Sequence, residues 1–311
     1  MSASNAVVEG HAFEEGLRRL EAECTDPQAG LFGPTSTMWF VLKEAGVFLG
    51  AGAALLLQIA HPFVAQGITD HSRALRDPIG RFHRTFSPIF SMIYGTRDEA
   101  LAAARKVRRV HNAITGTLPG GTPYLANDAN ALLWVHMTLW HTAIAVYERV
   151  VAPLTEPQKD QFQREANRFA LLFGIPEALH DTSWAAFTGR FDAVVASGML
   201  TVTPEARAIA DYFVGAGPDA FGRWLPRWYR ALTGDLLPST LADGFGLPRD
   251  PDAVHRAVAR VARAYKYVPG ALRHVSPYEE ARARLAGHAP SPIITTLNRV
   301  WLGRPRLSPA H

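Results

Sequence analysis

Side chains able to do chemistry are concentrated in the first half of the chain, and most of them are histidines and arginines. In RKVRRVHNAITG, residues 105–116, His111 occupies a position where helical spacing asks for an aliphatic residue. Ala100, Ala104, Val107, His111 and Ile114 follow steps of four and three, which sets them on one helix face, while Arg105, Lys106 and Arg109 fall on the opposite face. Arg108 sits beside the apolar stripe, three residues before His111, where it could line the same cavity. The next helix repeats the pattern, with Leu132, His136, Leu139, Ala143 and Tyr147 on one stripe and Trp140 and His141 next to it. An inward imidazole is either a hydrogen-bonded core residue or a ligand, and two on consecutive helices leave both readings open.

Upstream, HPFVAQGITDHSRALRDPIGRFHRT contributes His61, His71, Arg81, His83, Arg84 and Thr85. Arg81, Arg84 and Thr85 are three or four apart and share a helical face. Turned inward they need an anionic partner, and turned outward they form surface salt bridges. The ligand set narrows the chemistry. There is no HExxH pair, no phosphate-binding glycine loop, no dinucleotide fingerprint and no GxSxG elbow. The single cysteine, Cys24, rules out an internal disulfide or a cysteine-ligated cluster within one chain. One helical histidine facing a cavity lined by glycine and alanine, with arginines available for carboxylates, suits haem, whose porphyrin fills four of the iron positions.

Helices must position these groups. Apolar residues recur every three and four positions from about Thr37 to Ala216 and again from Asp252 to Leu285, without clear β alternation, so the spacing predicts an all-α protein. Helices are expected over 37–59, 62–72, 79–94, 97–115, 129–151, 156–173, 183–197 and 204–214, with more in the 220s, the 250s to 260s and the late 270s. Thr96 and Glu99 form a capping box, Thr155, Glu156 and Pro157 open a helix in the same way, and Gly116 fits just past a helix end. The glycine- and proline-rich loop 117–130 is expected to be an ordered turn between antiparallel helices.

The bulk composition fits this picture. With 311 residues, 48% hydrophobic and 19% charged, the chain can bury a full core. Residues 1–33 read as a peripheral segment, 34–302 as one compact multi-helix domain enclosing a haem pocket, and 303–311 as a tail. The net charge of +4 is carried by scattered basic residues, and no nucleic-acid partner is expected. The apolar run 45–60 is shorter than the roughly 20 residues of a membrane span. It reads as a core helix whose Gly50, Ala51, Gly52, Ala53 and Ala54 let another helix or a flat ligand approach. No secretory signal is visible at the start, and a cytoplasmic location is expected. Oligomeric state is not readable.

Four stretches together resemble the catalytic domain shared by latex-clearing proteins (rubber oxygenases) and fungal MpaB-type oxygenases: LLLQIAHPFVAQGITDHS, RFHRT, RRVHNAITG and PYLANDANALLWVHMTLWHTAIAVYERV. The resemblance is strongest over 55–196. It implies an all-helical haem-dependent oxygenase with b-type haem iron held by His111, Arg108 as its companion, and Arg81 and Thr85 near the haem. Arg84 stands where latex-clearing proteins have a lysine that can cap the distal iron position, a role an arginine cannot take because it does not deprotonate. Rubber oxygenases carry a distal glutamate upstream of this box, but no glutamate lies between Gln58 and Arg81, which leaves His61, His71 and Asp70 as substitutes. A small apolar substrate used with dioxygen is therefore expected in place of rubber. Two alternatives remain: a carrier or sensor with His111 and His136 on opposite sides of the iron, and a cofactor-free helical protein with hydrogen-bonded histidines.

Overall fold

The computed structural model describes residues 7–71, 77–215 and 220–307. The end of the helix predicted to reach Ser72, and the ends of the chain at 1–6 and 308–311, lie outside the described residues. Among the described residues there are sixteen α-helices and one two-stranded sheet, so the protein is all-α in class.

Helix α1 spans Gly10–Glu23 and buries Phe13, Leu17 and Leu20. The N-terminal segment, read as peripheral, thus contributes one face to the core. The predicted helix over 37–59 is three pieces: α2 (Thr37–Leu42), a 3₁₀ turn (Ala45–Gly50) and α3 (Ala51–Ile59). The break falls at Glu44, whose buried carboxylate accepts from Tyr265 Oη at 3.0 Å and lies 3.1 Å from Arg273 Nε. The backbone is extended at Glu44 and bridges His274, and the Lys43 carbonyl accepts from Val275 N at 2.8 Å, so these groups are paired outside the helix. Helix α4 (Pro62–His71) then departs at 101° from the segment before it, and no single described helix is long and apolar enough to cross a membrane.

Helices α5 (Pro78–Tyr94) and α6 (Arg97–Asn112) form an antiparallel hairpin. Asp77 caps α5 by accepting from Gly80 N at 2.9 Å, and the Thr96–Glu99 capping box opens α6 as predicted. Helix α6 ends at Asn112, short of the expected Thr115, and Gly116 belongs to strand β1 (Thr115–Thr117), which pairs antiparallel with β2 (Pro123–Leu125). The reason for a glycine at 116 is proximity: a Cβ there would stand 2.5 Å from Tyr124 Oη.

Helix α7 (Ala129–Val150) is the central rod, buried along its length. The 3₁₀ turn and α3 lie against one side of it, and α8 (Glu156–Leu171) packs alongside. A Cβ on Gly50 would be 3.0 Å from Val146 Cγ2 and 3.3 Å from the Thr142 carbonyl, and one on Gly52 would be 2.9 Å from Thr233 Oγ1. The small residues of the apolar run therefore admit neighbouring helices at these two positions.

Candidate functional site

Along the α5–α6 hairpin, burial is uneven. The closed end is packed, with Phe90 to Tyr94 on α5 and Ala100, Leu101 and Ala104 on α6 all buried. Toward the open end Phe82, Phe86, Ile89, Val107 and His111 are half-buried, and Val110 is exposed. Arg81 and His111 stand at nearly equal distances from the Gly95–Thr96 turn. Because each helical residue rises 1.5 Å, they sit level with one another at that open end.

His111 is neutral at physiological pH, because burial lowers its imidazole to about 4. Its ring lies 6.4 Å from that of Phe173. The side chain of Asn127 lies near the ring and favours its protonated form, a smaller effect than burial. Asn127 spends its Nδ2 on Asn112 Oδ1 at 2.6 Å and its backbone carbonyl on Val8 N at 3.0 Å. A neutral imidazole keeps a lone pair on one of its nitrogens. Asn127 escaped notice in the sequence because it lies in a loop and belongs to no periodic stripe.

Arg108 turns toward the N-terminal segment. Its Nη2 donates to the Val8 carbonyl at 2.7 Å, and the guanidinium lies 4.7 Å from the centre of the Phe13 ring. It stays close enough to His111 to disfavour protonation of the imidazole, and it fastens the N-terminal segment over α6. The arginine box also divides. Arg81 is half-buried, with burial lowering its guanidinium to about 10, so it remains charged at neutral pH. Arg84 makes an exposed ion pair with Asp77 at 2.9 Å, and Thr85 is exposed.

At the sharp break between α3 and α4, His61 is 6% exposed, and its Nδ1 has no hydrogen-bond partner. Its ring meets that of Phe63 at 5.4 Å, and burial lowers the imidazole to about 4. The other two candidates for a distal acid are committed elsewhere. Asp70 accepts from Tyr124 Oη at 2.6 Å and from Gln66 Nε2 at 2.8 Å, and His71 Nε2 meets the Thr115 carbonyl at 2.9 Å. The Tyr124 and Thr115 contacts pin α4 to the β-hairpin directly after His111, and a Cβ added at Gly67 would stand 3.6 Å from Ile114 Cγ2. His61 alone of the three has an uncommitted buried nitrogen.

His136 is also buried and neutral, lowered by burial to about 3. Trp140 Nε1 donates to its Nδ1 at 3.0 Å, and the ring stacks on Phe169 at 6.2 Å. The proton then resides on Nε2. Ligating iron through Nε2 would move that proton to Nδ1, directly opposite the indole N–H, which conflicts with the two-histidine arrangement.

An apolar cavity of about 60 Å³ lies between α5, α7 and the 3₁₀ turn, lined among others by Phe48, Phe86, Phe90, Leu139, Trp140 and Thr142. The two polar side chains among them are satisfied, Trp140 by His136 and Thr142 by the Thr138 carbonyl at 2.7 Å. Such walls accept hydrocarbon and little else. Among the described residues, no three histidine, cysteine, aspartate or glutamate side chains gather as a protein-only metal site.

In a comparison with known families, residues 38–266 match the family described as ER-bound oxygenase mpaB/B'/Rubber oxygenase, catalytic domain. No curated protein and no solved structure matches the chain.

Proposed function

The chain belongs to the family of mpaB-type and rubber oxygenase catalytic domains, and on that premise we propose that it is a b-type haem oxygenase using dioxygen on a small apolar substrate. The observation that carries this reading is His111, an imidazole that burial keeps neutral at the open end of the hairpin with the Asn127 side chain beside it. The donor set fits haem. A single imidazole is enough for an iron whose four other ligands come from the porphyrin, and the half-buried, charged Arg81 at the same end of the hairpin suits a propionate.

When bound, the haem would supply the iron centre at which dioxygen is activated for transfer to carbon. His111 would hold the group through one ring nitrogen, with Asn127 beside the ring to favour one tautomer. Arg81 neutralises a carboxylate. His61 is the proton-handling residue, acting at Nδ1, which is neutral at physiological pH and free of competing bonds. Phe48, Phe86 and Phe90 exclude water and orient an apolar substrate, while Arg84 and Thr85 remain on the outer surface. The carrier reading is disfavoured by the indole bond to His136.

Reconstitution with hemin tests the proposal. The wild-type chain is expected to give a Soret band and an open, high-spin site that binds carbon monoxide once reduced with dithionite, and His111→Ala is expected to lose most of that absorbance. A spectrum indifferent to His111→Ala would overturn the assignment. A six-coordinate low-spin spectrum unresponsive to carbon monoxide would favour the carrier.

A further inference from the structure

The aromatic wall of the cavity between α5, α7 and the 3₁₀ turn is held from outside the matched family region. Among the described residues Phe48, in the 3₁₀ turn, has four aromatic neighbours, and three of them, Phe82, Phe86 and Phe90, stand on α5 at 6.2, 5.2 and 5.8 Å. The fourth is Trp301, which meets it edge-on at 4.9 Å. Trp301 belongs to the last helix, Pro292–Leu302, whereas the family match stops at residue 266. The same indole meets Phe90 at 6.0 Å and Phe82 at 6.2 Å. Phe48 and Phe90 line the cavity, and Trp301 stands behind them.

Hydrogen bonds on both sides of Trp301 fix the indole in this place. His83 Nε2, on α5, meets the Val300 carbonyl at 2.9 Å, and Asn298 Nδ2 donates to the Glu280 carboxylate at 2.6 Å. Past the helix, Arg304 Nη2 donates to Ser91 Oγ at 3.0 Å, and the N–H of buried Leu307 donates to Glu280 at 3.0 Å. Phe48 is held less firmly by its own backbone, since a 3₁₀ turn has poorer hydrogen-bond geometry than an α-helix. Its ring therefore depends on the rings around it. Trp301 alone of the four comes from an element other than α5, so removing it frees the side of Phe48 that faces the last helix.

We propose that Trp301 determines specificity as a positioning residue: by holding Phe48 in place it keeps the cavity too small for an aromatic ring, so that the site takes a narrower aliphatic group. The inference rests on the reading that this cavity receives the substrate. Its size carries the argument, because it encloses about 60 Å³, whereas an apolar cavity of about 150 Å³ is what takes up benzene in a folded protein. Phe48 is the part of the wall that can yield. Phe86 and Phe90 are carried by α5, and Trp140 is tied to His136. Without the indole, Phe48 turns into the space that Trp301 vacates, and the two volumes merge.

Melting temperatures of the full chain with and without saturating benzene test the proposal. They need no haem, so a chain that failed the hemin experiment would still answer this one. Wild type is expected to show no benzene-induced shift. Trp301→Ala is expected to gain about 2 °C, because a ligand in excess stabilises only a fold that binds it. Each shift is read against the same variant without benzene, which removes the stability lost with the indole, and Trp301→Leu takes its place if Trp301→Ala does not fold. Ala143→Leu adds carbons to the cavity itself and should abolish the gain in the Trp301→Ala background. The proposal fails if wild type already responds to benzene, or if neither Trp301 variant responds. It fails equally if the response survives Ala143→Leu, since the new space would then be confined to the seam between α5 and the last helix.

Discussion

His61 carries an unpaired Nδ1 in a site from which water is largely excluded. Leaving a buried polar group unsatisfied costs about 1–3 kcal/mol, so folding alone would favour a hydrocarbon there. His61→Leu is expected to leave stability unchanged or raise it by about 1 kcal/mol while abolishing most substrate-dependent oxygen consumption. Thermal melts and an oxygen electrode check the two halves separately, and a variant that turned over normally would remove His61 from the chemistry. His136 is the opposite case, a buried imidazole whose acceptor atom is fully used by Trp140. That bond joins residues four apart on one helix, a spacing the sequence shows while leaving open whether His136 is bonded or a ligand. The Asn127 neighbour of His111 is not legible in the sequence, because it sits across the β-hairpin, and neither is the turning of Arg108 onto Val8 and Phe13.

At the level of elements, the apolar run after Glu44 is governed by how closely α7 approaches. Gly50 has no room for a side chain, with Val146 Cγ2 and the Thr142 carbonyl 3.0 and 3.3 Å from where a Cβ would stand. Gly50→Val is expected to force the 3₁₀ turn away from α7 and cost about 1–3 kcal/mol, disturbing the cavity wall at the same time. Gly120, which has nothing within 4 Å of an added Cβ, serves as the control, since Gly120→Ala should be near neutral in urea unfolding. Equal midpoints for the two variants would contradict the close approach. Capping boxes at Thr96 and Thr155 were readable because each is closed within four residues. The hairpin of β1 and β2 was not, because strands of three residues show no alternation and depend on anchors such as Tyr124 to Asp70.

For the molecule as a whole, buried neutral histidines make stability depend on acid. In the unfolded chain their imidazoles return to the ordinary value of 6.5, whereas in the fold His61 and His136 titrate at about 4 and about 3. Between those limits the unfolded chain binds more protons, so stability is complete above about pH 6.5 and falls as pH drops toward 3. Each residue contributes roughly 3 kcal/mol or more to the loss, as an order of magnitude. Urea midpoints should decline steeply from pH 7 to pH 4, and His61→Leu should flatten part of the slope. A variant with an undiminished slope would show that His61 is not held neutral.

By itself the sequence determined what local chemistry determines: helical class, most helix starts, the inward direction of His111 and His136, and the motif order that marks the family. Those features follow from a backbone period and from caps closed within a turn. Only the tertiary structure decided which inward side chains are satisfied and which remain available, separating His61 from Asp70 and His71. It also packed α1 into the core and left Trp224 in water. The physical reason is that hydrogen-bond satisfaction and burial are properties of a neighbourhood assembled from distant segments, such as Val8 with Arg108 or Asn127 with His111, and no spacing along one helix encodes them.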